Sequence, residues 1–233
     1  IYFVFTVQNL NDILFLMETD NLNLLNYKLK VIDNFLNQDD FNSLCKLEIN
    51  QTVKEDFHVY HNEINDKGII KSVIDKNLLQ RIHNNYHSTA MNILKNISKE
   101  KAELYEYSDF SIIVTSKNSK FPIHDDTPNK LLSGVIYLYP EKNTGTIFYN
   151  NKKGADQTNI SWKPNRAVFF SRSERKTWHS YEGDGLNNRV VLNYNLMTNK
   201  IKEVYKVENK SYFYGNFRFK LNPYIFRYLK TTI

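Results

Sequence analysis

From residue 103 to residue 197 the apolar side chains of this chain tend to recur at every second position, and this period constrains the fold more than any other feature. Branched and aromatic residues crowd into short runs at 104–107, 110–115, 131–139, Thr146–Tyr149, 166–171 and 189–197. Proline, glycine, asparagine and aspartate at 140–145, 163–165 and 182–185 supply turns between them. A strand shows alternate residues to opposite faces, so each run has one side to bury. Many short strands after a stretch of helix predict a β-sandwich or barrel with helices on one side, an α+β class that is mainly β.

The preceding part of the chain reads differently. Residues 28–36 alternate like a strand, and Asn37 or Asp39 can cap a short helix carrying Phe41, Leu44 and Cys45. Residues 53–61 read as a further strand or extended loop. After Lys71 the apolar residues Ile74, Leu78, Leu79, Ile82, Tyr86, Ala90, Ile93, Leu94 and Ile97 keep the spacing of one helix face, predicting a long helix packed outside the sheet.

No internal repeat or linker divides the 233 residues, which suffice for one domain with a sizeable core. The expected organisation is a single domain over 17–233, with its β core at about 103–198 and an extension at 199–233. Residues 1–16 read as a truncated start or translated upstream sequence, with Met17 as a candidate true start. Gln8, Asn9, Asn11 and Asp12 interrupt this opening and no basic residue precedes it, so it fits neither a membrane span nor a signal peptide. Cys45 is the only cysteine. An intrachain disulfide is therefore excluded, and a reducing, cytoplasmic compartment is the simpler home.

The chemistry concentrates in Phe121-Pro122-Ile123-His124-Asp125-Asp126, answered by Thr177-Trp178-His179-Ser180. At a strand end, alternation turns His124 and Asp126 to one side and Asp125 to the other. His179 follows between two predicted strands, with Trp178 beside it to keep water away. Two imidazoles and one carboxylate form the set that holds a non-haem Fe(II) on one face and leaves the other open; zinc is a competitor for the same donors. Arg189 begins an otherwise apolar run. Read as a surface residue it needs no explanation, whereas aimed inward it requires an anionic partner.

In this order, His124-x-Asp126, His179 and Arg189 resemble the Fe(II)/2-oxoglutarate-dependent dioxygenases, in their prolyl 4-hydroxylase-like branch. The segments Val31-Ile-Asp-Asn-Phe-Leu36, Gly134-Val-Ile-Tyr-Leu138 and Trp162-Lys-Pro-Asn-Arg-Ala-Val-Phe-Phe170 carry the resemblance over residues 28–197. The chain differs in having Thr144-Gly145 where relatives commonly show two glycines, and Arg189 where many collagen-type members carry lysine. The resemblance implies a double-stranded β-helix, or jelly-roll, in which His124, Asp126 and His179 bind Fe(II). It further implies that Arg189 takes the distal carboxylate of 2-oxoglutarate, with Tyr137 as a supporting hydrogen-bond donor. The implied reaction is O2-dependent hydroxylation of a peptidyl or small-molecule substrate, releasing succinate and CO2.

Two further readings stay open: a nucleic-acid demethylase on the same core, and a metal-holding jelly-roll that binds a ligand or protein without turnover. The first draws on the tail. Residues 199–233 hold eight basic against two acidic residues, interleaved with nine aromatics, while the chain as a whole carries +6. Such a mixture fits single-stranded nucleic acid. Packing on the sheet is the favoured reading, because nine aromatics are too many to leave in water, and residues 213–219 alternate like a half-buried strand. His83 and His87, four apart on the predicted helix, read as exposed helix residues, and His58 and His61 as surface residues.

Overall fold

The computed structural model describes residues 25–47, 49, 56–229 and 231. The expected leader, Met17 and the first residues of the strand expected at 53–61 lie outside them. Fourteen described strands follow in order: β1 (Leu29–Ile32), β2 (Phe57–Tyr60), β3 (Glu63–Asn65), β4 (Gly68–Lys71), β5 (Tyr107–Asp109), β6 (Ile112–Thr115) and β7 (Lys120–His124). The second half comprises β8 (Lys130–Tyr139), β9 (Thr146–Tyr149), β10 (Thr158–Ile160), β11 (Ala167–Phe170), β12 (Trp178–Glu182), β13 (Arg189–Asn193) and β14 (Asn195–Met197).

These strands form two antiparallel sheets. The larger runs β2-β6-β13-β8-β14-β5-β3-β4, with β11 joined to β8 and β1 to β11; the smaller runs β10-β9-β12-β7. Neither closes into a barrel. The period-two pattern explains how the larger sheet serves two layers. Along β8, Ile136 and Leu138 join the helix-side core with Leu79, Ile82 and Leu94, while Tyr137 between them packs with Phe148 and Ile160 of the smaller sheet. In β11 and β13 the same alternation sends Phe169 and Leu192 to the helices and Phe170 and Val191 to the other sheet. A slip of one residue would exchange these faces, so burial on both sides specifies the register.

The helices Gln38–Cys45 and Lys76–Ile97 pack on one face of the larger sheet. Asn37 caps the helix Gln38–Cys45 by accepting from the Asp40 amide, and Asp75 caps the helix Lys76–Ile97 by accepting from the Leu78 amide. Each side chain satisfies one of the amides that a helix start leaves without a partner.

Two of the segments that carry the family resemblance prove to be bonded to each other. β1 pairs with β11 from Leu29 opposite Phe170 to Ile32 opposite Ala167. Just beyond, Asp33 accepts from Arg166 Nε at 2.6 Å, and the Asn165 amide both accepts from the Leu36 N–H and donates to its carbonyl. Gly145 also has a steric reason: a Cβ there would stand 1.7 Å from the Ile160 carbonyl oxygen, where the chain entering β9 meets the end of β10.

Several expectations change. Residues 103–104 form a turn and 105–106 are irregular, in place of the start of the strand expected at 104–107, and β3 and β4 make a hairpin in a stretch for which the sequence reading predicts no element. His83 is buried, in contrast to the exposed position expected; it stacks on His87 at 4.6 Å and meets the Phe110 ring edge-on. His58 and His61 are exposed. The tail is helical, with helices at Ile201–Val207 and Tyr212–Leu229, so the strand expected at 213–219 is replaced by helix. Phe213, Tyr214, Phe217, Tyr224 and Tyr228 are exposed, against the expectation that the aromatics would be mostly buried. Seven residues that alternate also satisfy part of a helical period, and here Gly215 and Arg218 face inward, a pair that apolar patterning does not mark. A Cβ on Gly215 would stand 2.2 Å from the Tyr205 ring. Among the described residues no helix is long and apolar enough to cross a membrane.

Burial, reinforced by the neighbouring His87, pulls the His83 imidazole down to about 4. An unfolded histidine takes up its proton near 6.5, so the folded state holds fewer protons between these limits and loses stability as pH falls through them. Unfolding measured from pH 7 to 4.5 should show a steeper loss in the native protein than in His83→Phe, by up to about 1.4 kcal/mol per pH unit. Equal slopes would mean that His83 titrates alike in both states.

Candidate metal centre

The smaller sheet builds the site. β7 and β12 pair antiparallel with His124 directly opposite His179, which sets the two rings side by side with centroids 4.2 Å apart. His179 lies within β12, where the sequence reading had it between strands. Asp126 stands two residues beyond His124, just past the end of β7. One ligand atom from each of the three lies within 4.8 Å of the others, and no other such group of three occurs among the described residues.

The two imidazoles are oriented from behind in the same way. His124 Nδ1 lies 3.0 Å from the Pro122 carbonyl oxygen, and His179 Nδ1 lies 3.1 Å from that of Thr177. A carbonyl only accepts, so in the neutral rings Nδ1 carries the proton and the Nε2 lone pair is left for a metal. Burial, helped by His179, pulls His124 down to about 3, and burial lowers His179 as well. Burial alone would raise the Asp126 carboxyl, but the Lys130 ammonium and the two imidazoles outweigh it and hold the carboxyl well below its usual range. All three groups are thus in the deprotonated form that metal binding needs.

Neighbours fix Asp126 too. Lys130 Nζ donates to Oδ1 at 2.7 Å and Ser133 Oγ to Oδ2 at 2.5 Å. A carboxylate has roughly four lone-pair sites, so both contacts leave acceptor capacity toward the histidines. Asp125 is directed elsewhere: its oxygens accept from Arg218 Nη2 at 2.9 Å and from the Arg175 amide at 2.8 Å. Adjacent carboxylates therefore do separate work.

A cavity of about 330 Å³ opens beside the triad and has Arg189 and Thr146 in its wall. Arg189 is 5% exposed, yet among the described residues no carboxylate pairs with it. Its Nη2 donates to Thr146 Oγ1 at 3.3 Å, its Nε has no hydrogen-bond partner, and its guanidinium lies 4.0 Å over the Tyr181 ring. Burial lowers its proton affinity, offset in part by Tyr137 and Tyr181. A buried, charged fork without a counter-ion favours an anion beside it, and its planar geometry suits a carboxylate.

Tyr137 is fully buried; its hydroxyl donates to Thr146 Oγ1 at 2.9 Å, and its ring stacks on Trp162 beneath Arg189. The ring supports the guanidinium, and the hydroxyl reaches the cavity only through Thr146. Thr146, Lys130 and Ser133 went unmarked by the sequence reading. Lys130, four residues after Asp126, was the one with a spacing that could have been noticed.

No family model matches the chain, and no curated protein sequence matches it. Solved structures do. A prolyl-4-hydroxylase from Pseudomonas putida aligns at 13% identity and TM-score 0.52 over 78% of this chain and 97% of that chain. A prolyl hydroxylase from Trichoplax adhaerens, solved with a peptide fragment of the hypoxia inducible factor oxygen degradation domain, aligns at 13% identity and TM-score 0.51, covering 85% and 96%. IDO from Bacillus thuringiensis aligns at 12% identity and TM-score 0.54, covering 85% and 99%. The chain shares the jelly-roll fold of these structures, as its sequence led one to expect.

Because Arg189 has no anionic partner among the described residues, replacing it removes a charge that they leave uncompensated. Arg189→Met should leave the thermal midpoint unchanged or raise it, as replacement of buried ions by apolar groups often does. A loss above about 3 kcal/mol, typical of breaking a buried ion pair, would show that the guanidinium is paired after all.

Proposed function

We propose that this chain is an Fe(II)- and 2-oxoglutarate-dependent oxygenase that hydroxylates a peptidyl or small-molecule substrate. The observation that carries the reading is the buried guanidinium of Arg189 in the same cavity as the His124, Asp126 and His179 triad. Two neutral imidazoles and a carboxylate suit Fe(II), and an anionic second ligand satisfies Arg189. When bound, the two would supply the oxidising power: O2 and 2-oxoglutarate are consumed, succinate and CO2 leave, and one oxygen atom enters a C–H bond of the substrate.

The protein's own contribution is orientation and exclusion of water. Pro122 and Thr177 carbonyls hold the imidazole tautomers, Lys130 and Ser133 hold the carboxylate, and Tyr137, Trp162 and Tyr181 wall the guanidinium in aromatic surface. A guanidinium removed from water in this way offers its charge undiluted to a carboxylate. The peptide held by the Trichoplax prolyl hydroxylase supports the peptidyl side of the proposal, and the single cysteine supports its cytoplasmic setting.

A nucleic-acid substrate is the second reading, favoured by the exposed Phe213, Phe217, Tyr224 and Tyr228 beside Lys220 and Arg227. Oligonucleotide binding that weakens steeply with salt would select it.

Purified protein supplied with Fe(II), 2-oxoglutarate and O2 should form succinate, and His179→Ala and Asp126→Ala should abolish both this and Fe(II) binding. Arg189→Lys should weaken 2-oxoglutarate at least about tenfold while sparing Fe(II), since a point charge replaces a bidentate fork. Succinate formation that persists without added iron after chelation, or equal 2-oxoglutarate affinity in the lysine variant, would sink the assignment.

A further inference from the structure

Adjoining the cavity that holds Arg189 is a second, of about 370 Å³, which shares Phe57, Phe121, His124, Asp125, Asp126 and Thr127 with it but does not include Arg189. Its remaining wall comes from the terminal helix Tyr212–Leu229 together with Pro128, Arg172, Glu174 and Tyr205, and it differs from the Arg189 lobe in two respects that matter for recognition. The first respect is the apolar surface added by Phe226, which lines this cavity alone and completes a cluster with two rings common to both. Phe57 from β2, Phe121 from β7 and Phe226 from the terminal helix converge there, with ring centroids 5.7 Å apart for Phe57 and Phe121, 6.4 Å for Phe57 and Phe226, and 4.9 Å for Phe121 and Phe226. All three rings remain partly uncovered, and Phe121 touches His124 edge-on at 4.6 Å. Three large rings from three distant segments leave apolar surface facing one space beside the metal ligands.

The second respect is charge. The charged groups in this wall are already matched with one another: Arg218 with Asp125 and Glu174, Arg172 with Glu174 and with Glu208 behind it, and Asp126 with Lys130. Where the Arg189 lobe presents an unmatched cation, this lobe presents closed pairs. A charged group entering it would be stripped of water and meet no counter-ion, which is costly.

We infer that this aromatic lobe is the substrate subsite, that it takes an uncharged, apolar moiety of amino-acid side-chain size, and that Phe226 sets this preference. The inference rests on the oxygenase reading for the word substrate, but the binding preference stands on the cavity alone. The volume lies within the range of small-ligand sites and leaves room for a branched aliphatic or single-ring group. Such a group contacts Phe226 and Phe57 on one side and reaches the metal ligands past Phe121. The terminal helix is then part of the binding site, anchored by Arg218 so that Phe226, two turns further on, is presented to the cavity.

The test uses three probes that differ only in side chain: N-acetyl-leucine amide, N-acetyl-lysine amide and N-acetyl-aspartate amide. Each is titrated calorimetrically into the full chain loaded with 2-oxoglutarate and Zn(II), which replaces Fe(II) so that no turnover occurs. The leucine probe should bind at least about tenfold tighter than either charged probe, a tenfold ratio being one decade of Kd. Phe226→Ala should erase that ratio and Phe226→Leu should keep most of it, both with 2-oxoglutarate affinity unchanged. A charged probe that binds as tightly as the leucine probe overturns the inference, as does an undiminished ratio in Phe226→Ala or an absence of saturable leucine-probe binding. Should Phe226→Ala fail to unfold cooperatively, Phe57→Leu decides in its place, and an unchanged leucine-probe affinity there overturns the inference equally. Failure of the oxygenase reading looks different: 2-oxoglutarate would not bind, while the leucine preference persisted.

Discussion

The site depends on one strand pairing, β7 against β12, with His124 opposite His179. Antiparallel neighbours project side by side on the same face, so this register places two imidazoles within reach of one ion without any long loop. The pairing is itself held by its surroundings. β12 is sandwiched between β7 and β9, and Phe148 and Phe170 press on the His179 ring from the interface between the sheets. The larger sheet, buried on both faces, thus serves as the rigid wall against which the smaller, site-bearing sheet is aligned.

Just past β7, consecutive carboxylates separate function from architecture. Asp126 faces the histidines under the hold of Lys130 and Ser133, whereas Asp125 faces the terminal helix and binds Arg218. Arg218 belongs to a buried group in which three cations, Lys101, Arg172 and Arg218, meet three anions, Asp125, Glu174 and Glu208. Removing any one member would strand an opposite charge away from water, which makes such a network demanding of geometry even where it adds little net stability. It locates the helix Tyr212–Leu229 relative to the metal ligands. The basic character of the tail is in this respect partly internal: Arg218 is buried, whereas Lys220 and Arg227 remain in water.

The cavity system beside the triad is polarised as a result. One lobe holds Arg189, which pairs with no carboxylate among the described residues; the other, continuous with it past Phe57, Phe121 and His124, holds matched charges beside Phe226. With such a polarity an anion would be compensated beside Arg189 and not beside the closed pairs, so electrostatics would favour different groups at the two ends.

Legible in the residues alone were the alternation of the strands, the long helix with its apolar face, a cap at Asn37 or Asp39, and the order of His124, Asp126, His179 and Arg189. Each of these is local: period two and period 3.6 are properties of neighbouring residues, and His-x-Asp at a strand end sends both side chains one way. What those groups face was settled by the packing of distant segments. Whether Arg189 lay in water or in a cavity turned on the sheet above it, and a strand pattern does not state its own exposure. The tail shows the same division: Phe213 to Phe219 satisfied a strand rule and in part a helix rule, and the choice fell to Gly215 fitting against Tyr205 and Arg218 reaching Asp125 and Glu174. His83 became buried through Phe110, 27 positions away in the chain. Contacts between distant segments carry no local period, and for that reason the second lobe, with its rings from β2, β7 and the terminal helix, existed only once the chain was folded.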